Sequence, residues 1–366
     1  MLVTYLAHDL DDPAISRRVE MLRRGGAEVR LAGFRRGSGA LAPDVTVLGQ
    51  TENGRMKQRL ASILRALPRI GRMVPPAARP ETILARNLET LVLGAWLARG
   101  GRARLCYELL DIHGMMLGQG KTARALRQVE ATLMRRCAAV VTSSPAFARN
   151  YLRAYGQPDI PVILAENKPF DGPATKPATA PARAPVTIGW FGILRCRFSL
   201  DALDRLTRRH PGQFQVILRG RPALDVLGDF QAVVDANPDL HFLGPYRWPD
   251  DLPAIYGEVD YAWLIDRYQA GENSDWLLPN RLYEGCLNGA VPIVLEGTEV
   301  ARKAAGWGCT LTIRAPKDDA IAEGLANAAG DLPALQQALA AVPRDALRMD
   351  DAECRSLTAA ICGGAA

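Results

Sequence analysis

Short apolar runs alternate with longer amphipathic stretches along most of the chain. The runs are rich in Val, Ile, Leu and aromatic residues, as buried strands are. The longer stretches space their apolar residues three and four apart, as helices packed on one face do. In the first half this pattern predicts strands at about 1–7, 28–33, 82–85, 104–110, 138–142 and 161–164. Helices are predicted between them, at about 13–25, 55–72, 88–99, 121–137 and 145–154. Such alternation implies right-handed βαβ units and a parallel sheet.

The pattern breaks at 168–185, KPFDGPATKPATAPARAP. Proline repeated among small residues supports neither a helix interior nor a central strand, so the stretch reads as an extended linker. Strands then resume at about 186–191, 214–218, 239–243, 259–265, 291–295 and 309–313. Helices are predicted at about 199–209, 249–256, 279–288 and 299–305, and the tail is helical near 317–329, 332–341 and 344–361. The expected organisation is an α/β domain over 1–167, the linker 168–185, and a second α/β domain over 186–345. A tail, 346–366, would pack back on the first domain. Two doubly wound parallel-sheet domains facing a cleft would bind ligands beyond the carboxyl ends of their strands.

Composition agrees with two globular domains. The chain has 366 residues, enough for two domains of about 150–200 residues; 48% are hydrophobic and 23% charged, which excludes a disordered chain. The N-terminus, MLVTYLAHDL, lacks a basic segment before its apolar run, so no secretory signal is expected. No stretch approaches the roughly 18 apolar residues of a membrane span. Seven cysteines without a CxxC pattern fit reduced thiols in the cytosol.

Charge changes the picture more. Residues 1–170 hold 26 Lys and Arg against 14 Asp and Glu, a net of +12; residues 171–366 hold 19 against 25, a net of −6. The first half is therefore expected to meet something anionic. Within it, 55–72 (RMKQRLASILRALPRIGR) has no acid. Met56, Leu60, Ile63, Leu64 and Leu67 follow helical spacing, and Lys57, Arg59, Arg65, Arg69 and Arg72 supply positive charge. Two readings fit: a domain helix with a solvated basic face, or a helix lying on anionic lipid. No motif of a nucleic-acid module accompanies it.

Four segments carry candidate chemistry. In 271–295, GENSDWLLPNRLYEGCLNGAVPIVL, a polar loop leads through Pro279 into a helix that ends near Asn288-Gly289, before a buried strand. Glu284 lies on that helix, where its carboxylate can accept hydrogen bonds from two vicinal hydroxyls. Residues 273–275 stand at the helix N-terminus, a place that suits anions. In 189–200, GWFGILRCRFSL, a strand is expected to end at Gly192, ahead of a loop with Arg195 and Arg197 and a helix capped by Ser199. In 107–113, YELLDIH, a strand delivers Glu108, Asp111 and His113 to its carboxyl end. The first strand ends in His8-Asp9, and Asp11 or Asp12 is expected to cap the next helix.

The run PNRLYEGCLNGAVPI resembles the donor-site motif of GT-B glycosyltransferases, especially glycosyltransferase family 4 and its bacterial exopolysaccharide (succinoglycan-type) relatives. There a Pro-x-Lys/Arg-x-x-Glu helix precedes a strand entered through Gly and Pro. The resemblance implies a GT-B fold of two Rossmann-like domains and transfer of a sugar from a nucleoside-diphosphate donor, with UDP or GDP favoured. It implies that Glu284 holds the donor ribose, with Asn280 and Arg281 beside it. Many members carry a second Glu eight positions earlier, where this chain has Trp276. The sugar-contacting role then shifts to Asn273, Ser274 or Asp275. Gly192, Arg195 and Arg197 would hold the diphosphate, although the family spaces its basic pair more widely. The segment 241–256, HFLGPYRWPDDLPAIY, resembles the element that lines the base pocket. His113, with Asp111 nearby, is implied in catalysis at the donor sugar, and His8 or Asp9 in binding the acceptor or serving as a base.

The implied reaction retains anomeric configuration and needs no metal and no cofactor, the arginines stabilising the leaving diphosphate. The implied acceptor is a glycan, polyprenyl-diphosphate-linked or otherwise, in bacterial surface or exopolysaccharide synthesis. Residues 55–72 would rest on the inner face of the plasma membrane, placing the protein in the cytoplasm. Two alternatives share these residues: a nucleotide-sugar epimerase or hydrolase, and a non-catalytic sugar-nucleotide-binding protein at the membrane.

Overall fold

The computed structural model describes residues 1–37, 42, 44–51, 56–75, 81–101, 103–170, 185–315, 318–328 and 330–364. Most of the expected linker, 171–184, lies outside the described residues. The chain forms two compact units, Met1–Glu166 with Asp350–Ala366, and Asn167–Met349.

The first unit holds β1 (Leu2–Ala7), β2 (Glu28–Arg35), β3 (Thr46–Gln50), β4 (Glu81–Arg86), β5 (Ala103–Leu109), β6 (Ala139–Thr142) and β7 (Val162–Leu164). All pair in parallel, in the order β3-β2-β1-β4-β5-β6-β7. The central β1 is buried along its whole length, which is why its sequence reads as an unbroken run rather than an alternation. The pattern did not predict β3. It is a half-exposed edge strand whose register shifts at Gly33/Phe34, so its apolar signal is weak. The stretch 55–72 is not one helix: Met56–Ala66 and Ile70–Met73 are separated by a turn around Pro68, whose missing N–H ends the ladder. Ile63, Ala66 and Ile70 are buried. The apolar stripe therefore serves the interior of the unit, while Leu64, Arg65, Arg69 and Arg72 are exposed. The side chains of Met56, Lys57, Arg59 and Leu60 lie outside the described residues.

Strand order changes direction between β1 and β4, which makes the crevice at their carboxyl ends the switch point of this sheet. Beneath it lies a buried polar network. Glu108 of β5 is fully buried, accepts a hydrogen bond from the Tyr5 hydroxyl, and pairs with Arg18 at 2.6 Å. Arg18 also donates to the Ala165 carbonyl at 3.2 Å, and Arg86 donates to Asp12 at 3.0 Å. Burial, reinforced by Glu108, pushes the Tyr5 hydroxyl well above its usual range, so it stays a donor. A second buried carboxylate, Glu130, accepts from Tyr107 at 2.8 Å and from Tyr151, and burial raises it despite those donors.

The predicted tail helix 344–361 is two helices, Arg344–Leu347 and Asp351–Cys362. Asp350 interrupts them by accepting from the Glu353 amide at 2.8 Å, as an N-cap. The second of these helices packs in the first unit, against helix Pro13–Arg24. A Cβ on Gly25 would lie 2.0 Å from Thr358 Oγ1, so only glycine allows the approach.

The second unit holds β8 (Val186–Leu194), β9 (Phe214–Pro222), β10 (Leu240–Phe242), β11 (Tyr261–Trp263), β12 (Val291–Leu295) and β13 (Leu311–Ile313). They are parallel, in the order β10-β9-β8-β11-β12-β13, with the switch point between β8 and β11. Its core includes the fully buried Trp190 and Trp263. β8 does not end at Gly192 as expected. Gly192 (φ 107) pairs with Gly220 (φ 125), and the ladder continues to Leu194 opposite Pro222. A Cβ on Gly220 would come 1.9 Å from the Gly192 carbonyl oxygen, so this close crossing requires glycine at 220.

Candidate functional site

The carboxyl ends of β8 and β11 are joined by side chains. Ser199 Oγ donates to the Ile265 carbonyl at 2.8 Å, and the Arg267 amide donates to Cys196 Sγ at 3.2 Å. Ser199 is thus not the helix cap. It lies buried inside helix Arg197–Arg209, and Cys196 Sγ caps by accepting from the Ser199 amide at 3.4 Å. The capping preference of serine yields here to a tertiary acceptor. Arg195 stands on this ledge, 3.6 Å from Asp266 and 4.9 Å above the Tyr268 ring. That ring is exposed, so the cation is held on one side by a carboxylate and on another by an aromatic face. Arg197 is held elsewhere, by Asp229 and by Asp201 at 3.5 Å. Different carboxylates hold the two arginines expected to act as a pair.

Residues 271–275 were expected to be a polar loop. Instead Asn273–Trp276 is a one-turn helix. The Gln269 amide donates to Ser274 Oγ at 2.9 Å, Asn273 Nδ2 to Gln269 Oε1 at 3.0 Å, and the Gly271 amide to Asp275 Oδ2 at 2.7 Å. These polar groups close their own turn, and Asn273 and Ser274 are buried.

Glu284 lies on helix Asn280–Leu287, which starts at Pro279 and is closed by Asn288 donating to the Glu284 carbonyl at 2.7 Å. The Glu284 side chain is only 3% exposed, and its Oε1 accepts from the Trp248 indole N–H at 2.9 Å. Asn280 and Arg281, in the first turn, are half-buried. The fully buried Tyr256 is pushed far above its usual range by burial and then by the Glu284 charge.

In the first unit, His113 caps helix Gly114–Leu117, its Nδ1 accepting from the Met115 amide at 3.3 Å. The neutral ring therefore carries its proton on Nε2. Asp111 is exposed. Glu108, from the same run, points into the buried network. At the end of β1, Asp9 is 3.3 Å from Arg36 and accepts from the Asp11 amide at 3.2 Å; burial raises its carboxyl while Arg36 opposes the rise. Asp12 caps the next helix, and Asp11 instead binds the Arg36 and Gly37 amides. His8 lines a cavity of about 10 Å³ with Phe34, Thr51, Ile63 and Glu89. Among the described residues, no group of three His, Cys, Asp or Glu side chains could hold a metal ion.

Residues 13–167 match the family model described as a glycosyl transferase 4-like domain. Over 313 residues the chain is 44% identical to the succinoglycan biosynthesis protein ExoL of Rhizobium meliloti (strain 1021), an alignment covering 82% of this chain and 78% of that protein. The chain belongs to the glycosyl transferase 4-like family. This glycosyltransferase is similar in fold to HepE (Alr3699) of Anabaena, solved with UDP and glucose, at 16% identity and a TM-score of 0.70 over 99% of both chains. It is also similar to the sucrose-phosphate synthase of Thermosynechococcus elongatus, at 14% identity and a TM-score of 0.70 over 99% of this chain and 96% of that one. At 12% identity and a TM-score of 0.62, it resembles WaaG, a glycosyltransferase involved in lipopolysaccharide biosynthesis, over 98% of both chains. Its two Rossmann-like units are those of the GT-B fold.

The sequence pattern of this glycosyltransferase left three site residues unassigned: Asp266, Tyr268 and Trp248. The first two sit on the loop after β11, and their proximity to Arg195 follows from strand order. The Trp248-Pro249 dipeptide is conspicuous in the sequence, but nothing local links it to a residue 36 positions away.

Proposed function

We propose that this glycosyltransferase moves a sugar from a nucleoside-diphosphate donor, UDP first among them, onto a lipid-linked or other glycan in exopolysaccharide synthesis. The observation that carries the donor reading is Glu284, a buried carboxylate held in place beside the switch point of the second unit. Two facts about other proteins support the choice of UDP and of pathway: HepE was solved with UDP and with UDP-glucose, and ExoL is named for succinoglycan biosynthesis.

In this reading Glu284 accepts hydrogen bonds from the ribose hydroxyls. Arg195, stacked on Tyr268, turns from Asp266 toward the diphosphate and stabilises the charge gathered as the sugar leaves. Arg197 contributes only by exchanging Asp229 for phosphate. Gly192 leaves open space above its backbone, where a Cβ would meet nothing within 4 Å. His113 donates through Nε2 to a sugar hydroxyl, with Asp111 near it, and His8 or Asp9 contacts the acceptor. Two guanidinium groups supply the positive charge, so transfer is expected to proceed in EDTA; retention of configuration rests on the resemblance to the retaining members of the family.

A thermal-shift screen against UDP, GDP, ADP and TDP tests the donor site, since a ligand that binds only the folded state raises its Tm. One diphosphate should give a selective rise that is lost in Arg195→Ala. No rise with any of them would remove the donor reading.

No helix among the described residues is long and apolar enough to cross a membrane. Membrane contact rests on the exposed Arg65, Arg69 and Arg72 with Leu64, and is therefore mainly electrostatic. The protein should bind anionic vesicles at low salt, and release them as salt shortens the reach of charge to about 8 Å at 0.15 M. Changing the three arginines to glutamate should abolish binding; a wild-type protein that ignores anionic vesicles at low salt has no such surface.

A further inference from the structure

Trp248 belongs to the segment between β10 and helix Leu252–Gly257. That segment is fixed at both ends. Asp251 Oδ2 accepts from the Arg247 amide at 2.8 Å, the Asp251 amide donates to the Arg247 carbonyl at 2.9 Å, and the Leu252 amide to the Pro249 carbonyl at 3.1 Å. Before it, Tyr246 packs edge-on against Phe191 of β8 at 6.5 Å, and Phe191 against Tyr256 at 4.9 Å. The half-buried indole packs on the core of the second unit. Its backbone and its ring are therefore held before its N–H meets anything.

The indole offers one donor and no acceptor, so its polar role is narrow. It spends that donor on Glu284 Oε1 at 2.9 Å. The terminal torsion of a glutamate is broad, and a carboxylate without a fixed partner rotates through many orientations. A charge-assisted bond to one oxygen sets the plane of the group. A carboxylate whose plane is set in advance loses less freedom when it receives a diol.

We propose that Trp248 is a positioning residue for the donor ribose: its indole N–H orients the Glu284 carboxylate to receive the ribose hydroxyls. This inference rests on the reading of Glu284 given above. It extends that reading by making ribose recognition the work of two side chains on separate segments. It also gives a side chain of the segment after β10 a part in binding the ribose, beside the base-pocket element that segment resembles.

The test compares the nucleoside diphosphate that gives the largest thermal shift among UDP, GDP and ADP with its 2′-deoxy counterpart. Dissociation constants are measured by calorimetry for wild type, Trp248→Phe, Trp248→His and Glu284→Ala, each checked for an intact melting transition. The wild type should prefer the ribo form. Trp248→Phe keeps the ring packing and loses the donor; it should bind the ribo form about tenfold more weakly and the deoxy form nearly as before. Trp248→His retains a ring N–H and should recover part of the preference. A general packing defect would weaken both ligands alike, which would overturn the positioning role. So would a folded Trp248→Phe protein with the wild-type preference, while Glu284→Ala lost it. If Glu284→Ala keeps the preference, or no diphosphate binds, the ribose reading and this inference fall together. Should the Phe variant not fold, Trp248→Leu carries the same comparison.

Discussion

Glu284→Ala is expected to raise the donor KM by about 10²–10⁴-fold and to leave little transfer at ordinary donor concentrations. The carboxylate would lose two charge-assisted hydrogen bonds to the ribose, each contributing about 1.5–3 kcal/mol, and every 1.4 kcal/mol is about tenfold in affinity. The site compounds the loss. The Trp248 indole, whose N–H donates to Oε1 at 2.9 Å, would lose Glu284 as an acceptor at the same time. Glu284→Gln keeps an oxygen for Trp248 and removes the charge, so its KM should fall between the two. Initial rates over a range of donor concentrations settle the matter, with Tm measured alongside to separate binding from folding. Unchanged kinetics in a folded Glu284→Ala protein would sink the ribose assignment.

Glu108→Ala should act on stability rather than on binding. Its partner Arg18 is 5% exposed and would be left as a buried cation without its carboxylate; removing one member of such a pair costs about 3–5 kcal/mol. Tyr5 would lose its acceptor as well. Since domains commonly have only about 5–15 kcal/mol in reserve, this is a large share for the first unit. Hydrogen exchange of the β1 and β5 amides with increasing urea would report that unit alone. A loss under about 1 kcal/mol would mean that water takes the place of the lost carboxylate. Glu108→Gln, whose single oxygen can still accept from one of Tyr5 and Arg18, should cost less.

The contrast between these two glutamates shows how far the sequence could be read. Glu284 was visible as an acid on a helix, and Glu108 as an acid near a strand end. Glu284 came with a local signature, Pro279 and Arg281 before it and Gly289 after it, because a short helix and its following strand are encoded by neighbours. Glu108 had no such signature. It stands three residues before Asp111 and looks like part of the same constellation, yet it falls inside β5 and pairs with Arg18, 90 positions away. Elements were legible where a run was buried on both faces, as in β1, or amphipathic, as in helix Arg197–Arg209. They were missed where burial was partial, as in β3. At the site, residue types were legible and partners were not. Arg195 and Arg197 look equivalent two positions apart; one helical turn gives Arg197 its Asp201, but only the tertiary fold gives it Asp229 and gives Arg195 Asp266 and Tyr268. Ser199 obeyed a long-range acceptor instead of its local preference.

The helix Asp351–Cys362 bears on how the protein is made. It closes the first unit, where Arg104 Nε donates to the Ile361 carbonyl at 3.0 Å and Gly25 lies under Thr358. A ribosome delivers residues in order and domains commonly fold as they emerge. The first unit emerges first but must wait for its last helix, with the surface around Gly25 uncovered while some 180 further residues are translated. The second unit is one continuous stretch of chain and is fully synthesised before that helix appears. The unit whose strands are made ahead of the other's is therefore completed after it, and its unfinished face stays uncovered during that interval.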